Sequence, residues 1–348
     1  MEKSLKWIKV FAGVIFAGLL LCMGIVIWID PFFQYHAPLS GFPYQVDDQL
    51  SQNPGMARNM EYDSVILGSS VTVNFSKNWF DEDFGCNTIK LPYNGAYPKD
   101  YANIMEQVDM GGQEIRYIFW GMDVQAFSSS TEETKYPIPE HLYDTNPLND
   151  ITYWFNKDVL LNYVLKPLME PGDATDMAEV YATWELFGFN RWVLLQSYER
   201  PDRSSETYPR DHFIEAVSRN MDENICPIIE NHPDTEFYIF FPPYSILHWY
   251  TYEQGNLLEP LMEEYRYVIG RLLEYDNVRL YYFQNEESIV CDLNRYTDAI
   301  HYDREVSLFI EESIAADAYR LTRDNYLEEV EETIQMIEAY DFDSVWEN

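Results

Sequence analysis

Residues 64–70 read SVILGSS: a short apolar run, a glycine and two serines. The unbroken run Val65-Ile66-Leu67 is the pattern of a strand buried on both faces, as in a parallel sheet, rather than the alternation of a half-exposed antiparallel strand. Gly68 lets the chain turn tightly off that strand. The hydroxyls after it then stand at the carboxyl edge of the sheet, where open α/β sheets bind their ligands. A serine that caps the next helix explains the same letters, so the triplet gains weight only from its surroundings.

Four further runs of strand character lie downstream: TIKL (88–91), RYIFWG (116–121), FYIFFPP (237–243) and VRLYYF (278–283). Helical patterns separate or follow them at 98–108, 210–230 and 257–275, the last with Leu258, Leu261, Tyr265, Ile269 and Leu272 on one face. After His301 come Phe309, Ile310, Ile314, Ala318 and Leu321, then Leu327, Val330, Ile334 and Ile337 at helical spacing. Strands alternating with helices predict a parallel sheet covered on both faces, a three-layer α/β/α arrangement over residues 61–322. Residues 124–209 interrupt it with two aromatic helical patches, WFNKDVLLNYVLKPL and YATWELFGFNRWVLLQSY. A structureless loop of that size is implausible, so a helical insertion is expected. Residues 30–60, rich in Pro, Gly, Gln and Asn, read as an irregular linker, and 323–348 as an acidic C-terminal helix or tail.

Composition bounds the function. Over 348 residues, 23 Lys and Arg face 59 Asp and Glu, a formal net charge of -36. Phosphate binding needs clustered cations, so nucleic acid is excluded as a partner, and the folded part has no electrostatic attraction to anionic lipid. With 47% hydrophobic and 16% aromatic residues the chain is nonetheless globular, one large domain or two small ones. Four cysteines, far apart, form no disulfide framework. They read as buried thiols, with one disulfide and leftover thiols as the alternative.

Near the N-terminus, Val10 to Ile29 run VFAGVIFAGLLLCMGIVIWI without a charge. About 20 residues span the hydrocarbon core of a bilayer. Lys3, Lys6 and Lys9 precede the stretch, and Asp30, Pro31 and a long acidic region follow it. The excess of cations before it assigns residues 1–9 to the cytoplasm, 10–29 to the membrane and the rest to the outside of the cell membrane. A cleaved signal peptide is the rival, but its apolar core is shorter and ends at small residues, whereas this one ends in WIDPFF.

The second chemical candidate is Asp298-Ala299-Ile300-His301-Tyr302. A carboxylate three residues before a histidine can hold Nδ1–H and leave Nε2 to take a serine proton. Together, a Gly-Ser-Ser after strand one and a D-x-x-H before the last core helix resemble the SGNH (GDSL-type) hydrolase superfamily. That resemblance implies a flavodoxin-like sheet, Ser70 as nucleophile, His301 as base and Asp298 as its partner. In LPYNGAY it implies Gly95, with Asn94 beside it, as an oxyanion-binding position. The family's Gly-x-Asn block reads Gly121-Met122-Asp123 here, and an ionised Asp123 cannot donate to an oxyanion. The resemblance covers roughly residues 62–125 and 236–322.

The N-terminal anchor, the GSS spelling and the insertion look like the branch of that superfamily serving teichoic-acid D-alanylation and polysaccharide O-acetylation. This implies an esterase or O-acyltransferase outside the cytoplasm, acting on an acylated envelope polysaccharide or teichoic-acid-like polymer beside a membrane-bound O-acyltransferase. Hydrolysis and transfer remain open, as does a catalytically silent scaffold that binds the glycan or the acyltransferase. The acid-rich surface disfavours a polyanionic acceptor unless the cleft is locally basic. No phosphate-binding loop, dinucleotide fingerprint, H-E-x-x-H or zinc-ribbon spacing occurs, so no cofactor or metal is expected. Phe241-Pro242-Pro243-Tyr244-Ser245 reads as a rigid turn near the cleft rim, and Trp154, Trp184 and Trp192 as packing aromatics at helical spacing, with sugar stacking the alternative.

Overall fold

The computed structural model describes residues 2–183 and 187–347. Six strands form one sheet in the order β2-β1-β3-β4-β5-β6: β1 (Ser64–Gly68), β2 (Thr88–Pro92), β3 (Tyr117–Gly121), β4 (Glu236–Phe241), β5 (Val278–Tyr282) and β6 (Arg320–Leu321). The first five are parallel. Every residue of β1 and β2 is buried, as the continuous apolar runs require of a sheet covered on both faces. The chain steps outward from β1 to β2, then returns to the other side of β1 for β3. This reversal opens a crevice beyond the carboxyl ends of β1 and β3. The register Gly68↔Gly121 puts Ser69-Ser70 and Met122-Asp123 side by side at that crevice.

The sixth strand departs from the sequence reading. Ala318 and Leu321 continue a helical spacing, yet the helix Arg304–Ala315 stops before them. Asp317 (φ 53°) and Tyr319 (φ 60°) turn the chain left-handed, and Leu321 pairs antiparallel with Leu280 instead. Two residues are too few to show strand periodicity.

The chain forms two compact units. One comprises Tyr62–Glu106, Gln113–Tyr136 and Tyr181–Asn348, and contains the whole sheet. The other comprises Met1–Glu61, Gln107–Gly112 and Pro137–Val180. The second unit corrects the reading of 30–60 as a linker, because those residues carry a helix, Gln49–Asn59, capped by Asp48. The Asp30 carboxylate is buried and accepts from the backbone N–H groups of Gln34, Tyr35 and His36 and from the Tyr153 hydroxyl. The contact from Tyr153, formed over more than a hundred residues of chain, leaves no local pattern in composition.

The insertion 124–209 is likewise divided. Residues 137–180 belong with the N-terminal segment, and 124–136 and 181–209 with the sheet. Its helices are short, as in Ile151–Trp154 and Arg191–Ser197. Trp154 is half-buried and donates its indole N–H to Tyr35, whereas Trp192 is exposed rather than packed. Trp184 lies outside the described residues. Among the described residues one helix, Ser4–Ile29, is long and apolar enough to cross a membrane. All four cysteines are free thiols.

Candidate active site

The turn after β1 depends on Gly68. Its φ is 153°, and a Cβ there would meet Thr72 Cγ2 at 2.4 Å and the Gly121 carbonyl oxygen at 2.9 Å. Beyond it, Ser69 is buried and caps a single 3-10 turn, Ser70–Thr72. The cap reading of the serine pair therefore belongs to Ser69, and Ser70 is left to face outward. The buried Lys90 ammonium, from β2, donates to the Val73 carbonyl at 2.9 Å and ties down the end of the turn.

The loop carrying Asp298 and His301 is fixed from three sides. Tyr302 donates its hydroxyl to the Val71 carbonyl at 2.9 Å, binding the histidine loop to the serine turn. Ser245 donates both its N–H and its hydroxyl to the Ala299 carbonyl. Tyr296 donates to the Pro243 carbonyl at 2.9 Å. The Phe241–Ser245 segment is thus a buried packing turn whose partners position the D-x-x-H loop.

Within that frame Ser70 Oγ lies 2.7 Å from His301 Nε2, and His301 Nδ1 lies 2.7 Å from Asp298 Oδ2. The other Asp298 oxygen accepts the backbone N–H groups of Ile300 and His301, each at 2.8 Å. A carboxylate can only accept, so the neutral imidazole carries its proton on Nδ1 and presents a bare Nε2 to the serine. Burial opposes charge on both partners. The hydrogen bond to His301 and those backbone donors nevertheless hold the Asp298 carboxyl below its ordinary range. Burial likewise works against His301 protonation, but Asp298, and more distantly Asp123, outweigh it and raise the imidazole above its ordinary value.

A cavity of about 630 Å³ opens over this arrangement, lined by Ser70, Asn94, Gly95, Asp298 and His301 together. Gly95 has a φ of 67°, and a Cβ there would meet Lys135 Cε at 2.9 Å, so the lysine stem lies across the glycine. Lys135 also lines the cavity, as do Tyr136, Phe187, Phe189 and Val193, which make one wall apolar. None of these five residues stands in a motif. They come from the insertion, and only their spatial convergence marks them. Asn74 lines the cavity too, with its carbonyl oxygen accepting the Thr183 N–H at 2.9 Å.

Asp123 stands apart from the other sequence-selected residues. It is buried behind the serine turn, accepts the hydroxyls of Tyr244 and Ser69, and is not part of the cavity lining. Burial pushes its carboxyl up to about 6, against the pull of Ser69 and His301. Among the described residues no group of three His, Cys, Asp or Glu side chains could hold a metal ion.

No family model matches the chain, and no curated protein matches it. Among solved structures the chain is similar to a Streptococcus pneumonia protein described as "a putative platelet activating factor", at 10% identity and a TM-score of 0.35, over 77% of this chain and 89% of that one. A likeness of that strength carries neither fold nor chemistry, which rest here on the geometry.

Proposed function

We propose that the protein is a membrane-anchored serine esterase or O-acyltransferase acting outside the cytoplasm on an acylated envelope glycopolymer, with Ser70 as nucleophile. The observation that carries this reading is the continuous Ser70–His301–Asp298 hydrogen-bond chain opening on one cavity. A serine hydroxyl is a poor nucleophile until a base is aligned with it. In the proposed cycle Ser70 Oγ adds to the ester carbonyl as His301 Nε2 takes its proton, and Asp298 stabilises the imidazolium. The backbone N–H groups of Ser70 and Gly95, with Asn94 beside them, receive the oxyanion. The ester C–O bond then breaks and His301 returns the proton to the leaving alkoxide. Water, or an acceptor hydroxyl, repeats the sequence on the acyl-enzyme. Asp123 is assigned a positioning role, since it takes hydroxyl donors rather than offering one.

The apolar wall suits an acyl group, and Lys135 balances Asp298, so the cleft lining is near neutral in an acidic protein. Repulsion of an acceptor that carries anionic groups is therefore weaker at the cleft than over the rest of the surface. The anchor reading is supported by the end of the N-terminal helix: Val26 is fully buried in a cluster with Phe32, Leu142, Tyr153 and Val159. Cleavage after residue 29 would strip that cluster of a core residue. The Asp298–His301 geometry favours an enzyme over a silent scaffold.

The test is turnover of p-nitrophenyl acetate and butyrate by the full-length protein. Wild type should hydrolyse at least one ester, and Ser70→Ala should lose about 10³-fold or more. Equal rates in both would overturn the assignment. A folded wild type that binds envelope glycan without turnover would establish the scaffold.

A further inference from the structure

We propose that the apolar face of residues 148–169 is seated in the lipid of the leaflet at the C-terminal end of the N-terminal helix, so that the protein holds the membrane by a helix and an adjoining interfacial segment. This rests on the reading of that helix as an anchor. The observation behind it is one of depth. The hydrocarbon core takes about 20 helical residues, at roughly 1.5 Å each. The apolar helix runs Ser4–Ile29, 26 residues, and is exposed along most of its length. Its last two turns are covered by protein: Val26 and Ile29 are buried, and Cys22, Met23, Ile25 and Ile27 are partly so. Val159 and Leu160 pack at the level of Val26. They therefore sit beside residues that are themselves within the apolar span.

The other side of this clasp is uncovered and apolar. The helix Val159–Met169 buries Val159, Val164 and Pro167 and exposes Leu161, Leu165, Leu168 and Met169. Among the described residues, seven of the thirteen exposed large apolar side chains outside the N-terminal helix fall within residues 148–169. Clustering of this kind marks an interaction surface rather than scattered exposure.

Charge favours lipid as the occupant. Residues 148–169 contain only Asp150, Lys157, Asp158 and Lys166 as charged groups, a net charge of zero in a chain of -36. Lysines on such a face reach to headgroups while their stems stay in the apolar layer. Trp28, Trp154 and Tyr163 accompany them, the residue types that collect at the bilayer boundary. The contact is hydrophobic, so the acidity of the rest of the protein does not oppose it.

The experiment reconstitutes the full chain into phosphatidylcholine vesicles containing a phosphatidylcholine with a diazirine on its acyl chain. After irradiation, adducts are mapped by mass spectrometry. The expected result is lipid adducts on both the N-terminal helix and residues 148–169. In a Leu161→Glu, Leu165→Glu, Leu168→Glu variant they should be lost from the second region only, with ester turnover retained. Adducts confined to the N-terminal helix would overturn the inference while preserving the anchor, and would point to a partner protein or water on that face. Adducts on neither would remove the anchor reading and this inference with it.

Discussion

Two loops bring a carboxylate toward His301, and they treat it in opposite ways. The 296–302 loop surrounds Asp298 with two backbone N–H donors and the imidazole, and its carboxyl stays below the ordinary range despite burial. The loop after β3 buries Asp123 more deeply and gives it two hydroxyls, and its carboxyl rises to about 6. Glu264 extends the series. In the helix Leu258–Leu272 it is buried with neither carboxylate oxygen hydrogen-bonded among the described residues, and burial alone lifts it to about 9. Donor supply, not depth alone, sets the charge of a buried acid. Of the two acids near His301, Asp298 is the one hydrogen-bonded to the imidazole and the one whose donors hold it most firmly as an anion.

The largest consequence falls on Asp298→Asn. An amide that donates to Nδ1 would impose the wrong tautomer, and ester turnover should fall by about 10³–10⁴-fold with the fold intact by circular dichroism. A loss smaller than about tenfold would remove the distinction between the two loops.

A smaller effect concerns pH. His301 must be unprotonated to accept the serine proton, and its surroundings raise it from its ordinary value of 6.5. The ascending limb of kcat/KM should therefore lie above pH 6.5. Asp123→Asn removes an anion that favours protonated His301, so the limb should move toward acid by less than about one pH unit, while the plateau rate changes only a few-fold. A shift toward base, or loss of activity comparable with Asp298→Asn, would make Asp123 a direct participant.

A further effect falls on stability rather than on turnover. Glu264 binds its proton more tightly folded, near 9, than unfolded, near 4.5. The folded state is therefore favoured least where that proton is lost, and stability declines as pH rises between those values. Glu264→Gln removes this dependence, so its gain in Tm should be larger at pH 8 than at pH 5. An equal gain at both would show that the carboxyl is already paired.

The five parallel strands and the Ser70, Asp298 and His301 positions were legible because each is spelled locally: apolar runs, a turn glycine and a four-residue acid–base spacing. Other features were not. Residues 30–60 fold through partners such as Tyr153, a contact that no window of sequence contains. Lys135 and Phe189 reach the cavity from the insertion without any motif. Asp123 was recognisable as an unusual residue for its block, but its burial behind Ser69 follows only from the three-dimensional packing of Tyr244 against it.

Whether Ser70, activated by His301, is the nucleophile is decided by incubating the folded protein with a fluorophosphonate probe and weighing wild type, Ser69→Ala, Ser70→Ala and His301→Ala intact. A single adduct is expected on wild type and Ser69→Ala and none on Ser70→Ala or His301→Ala. An adduct that persists on Ser70→Ala, or a folded wild type that remains unmodified, would contradict that assignment.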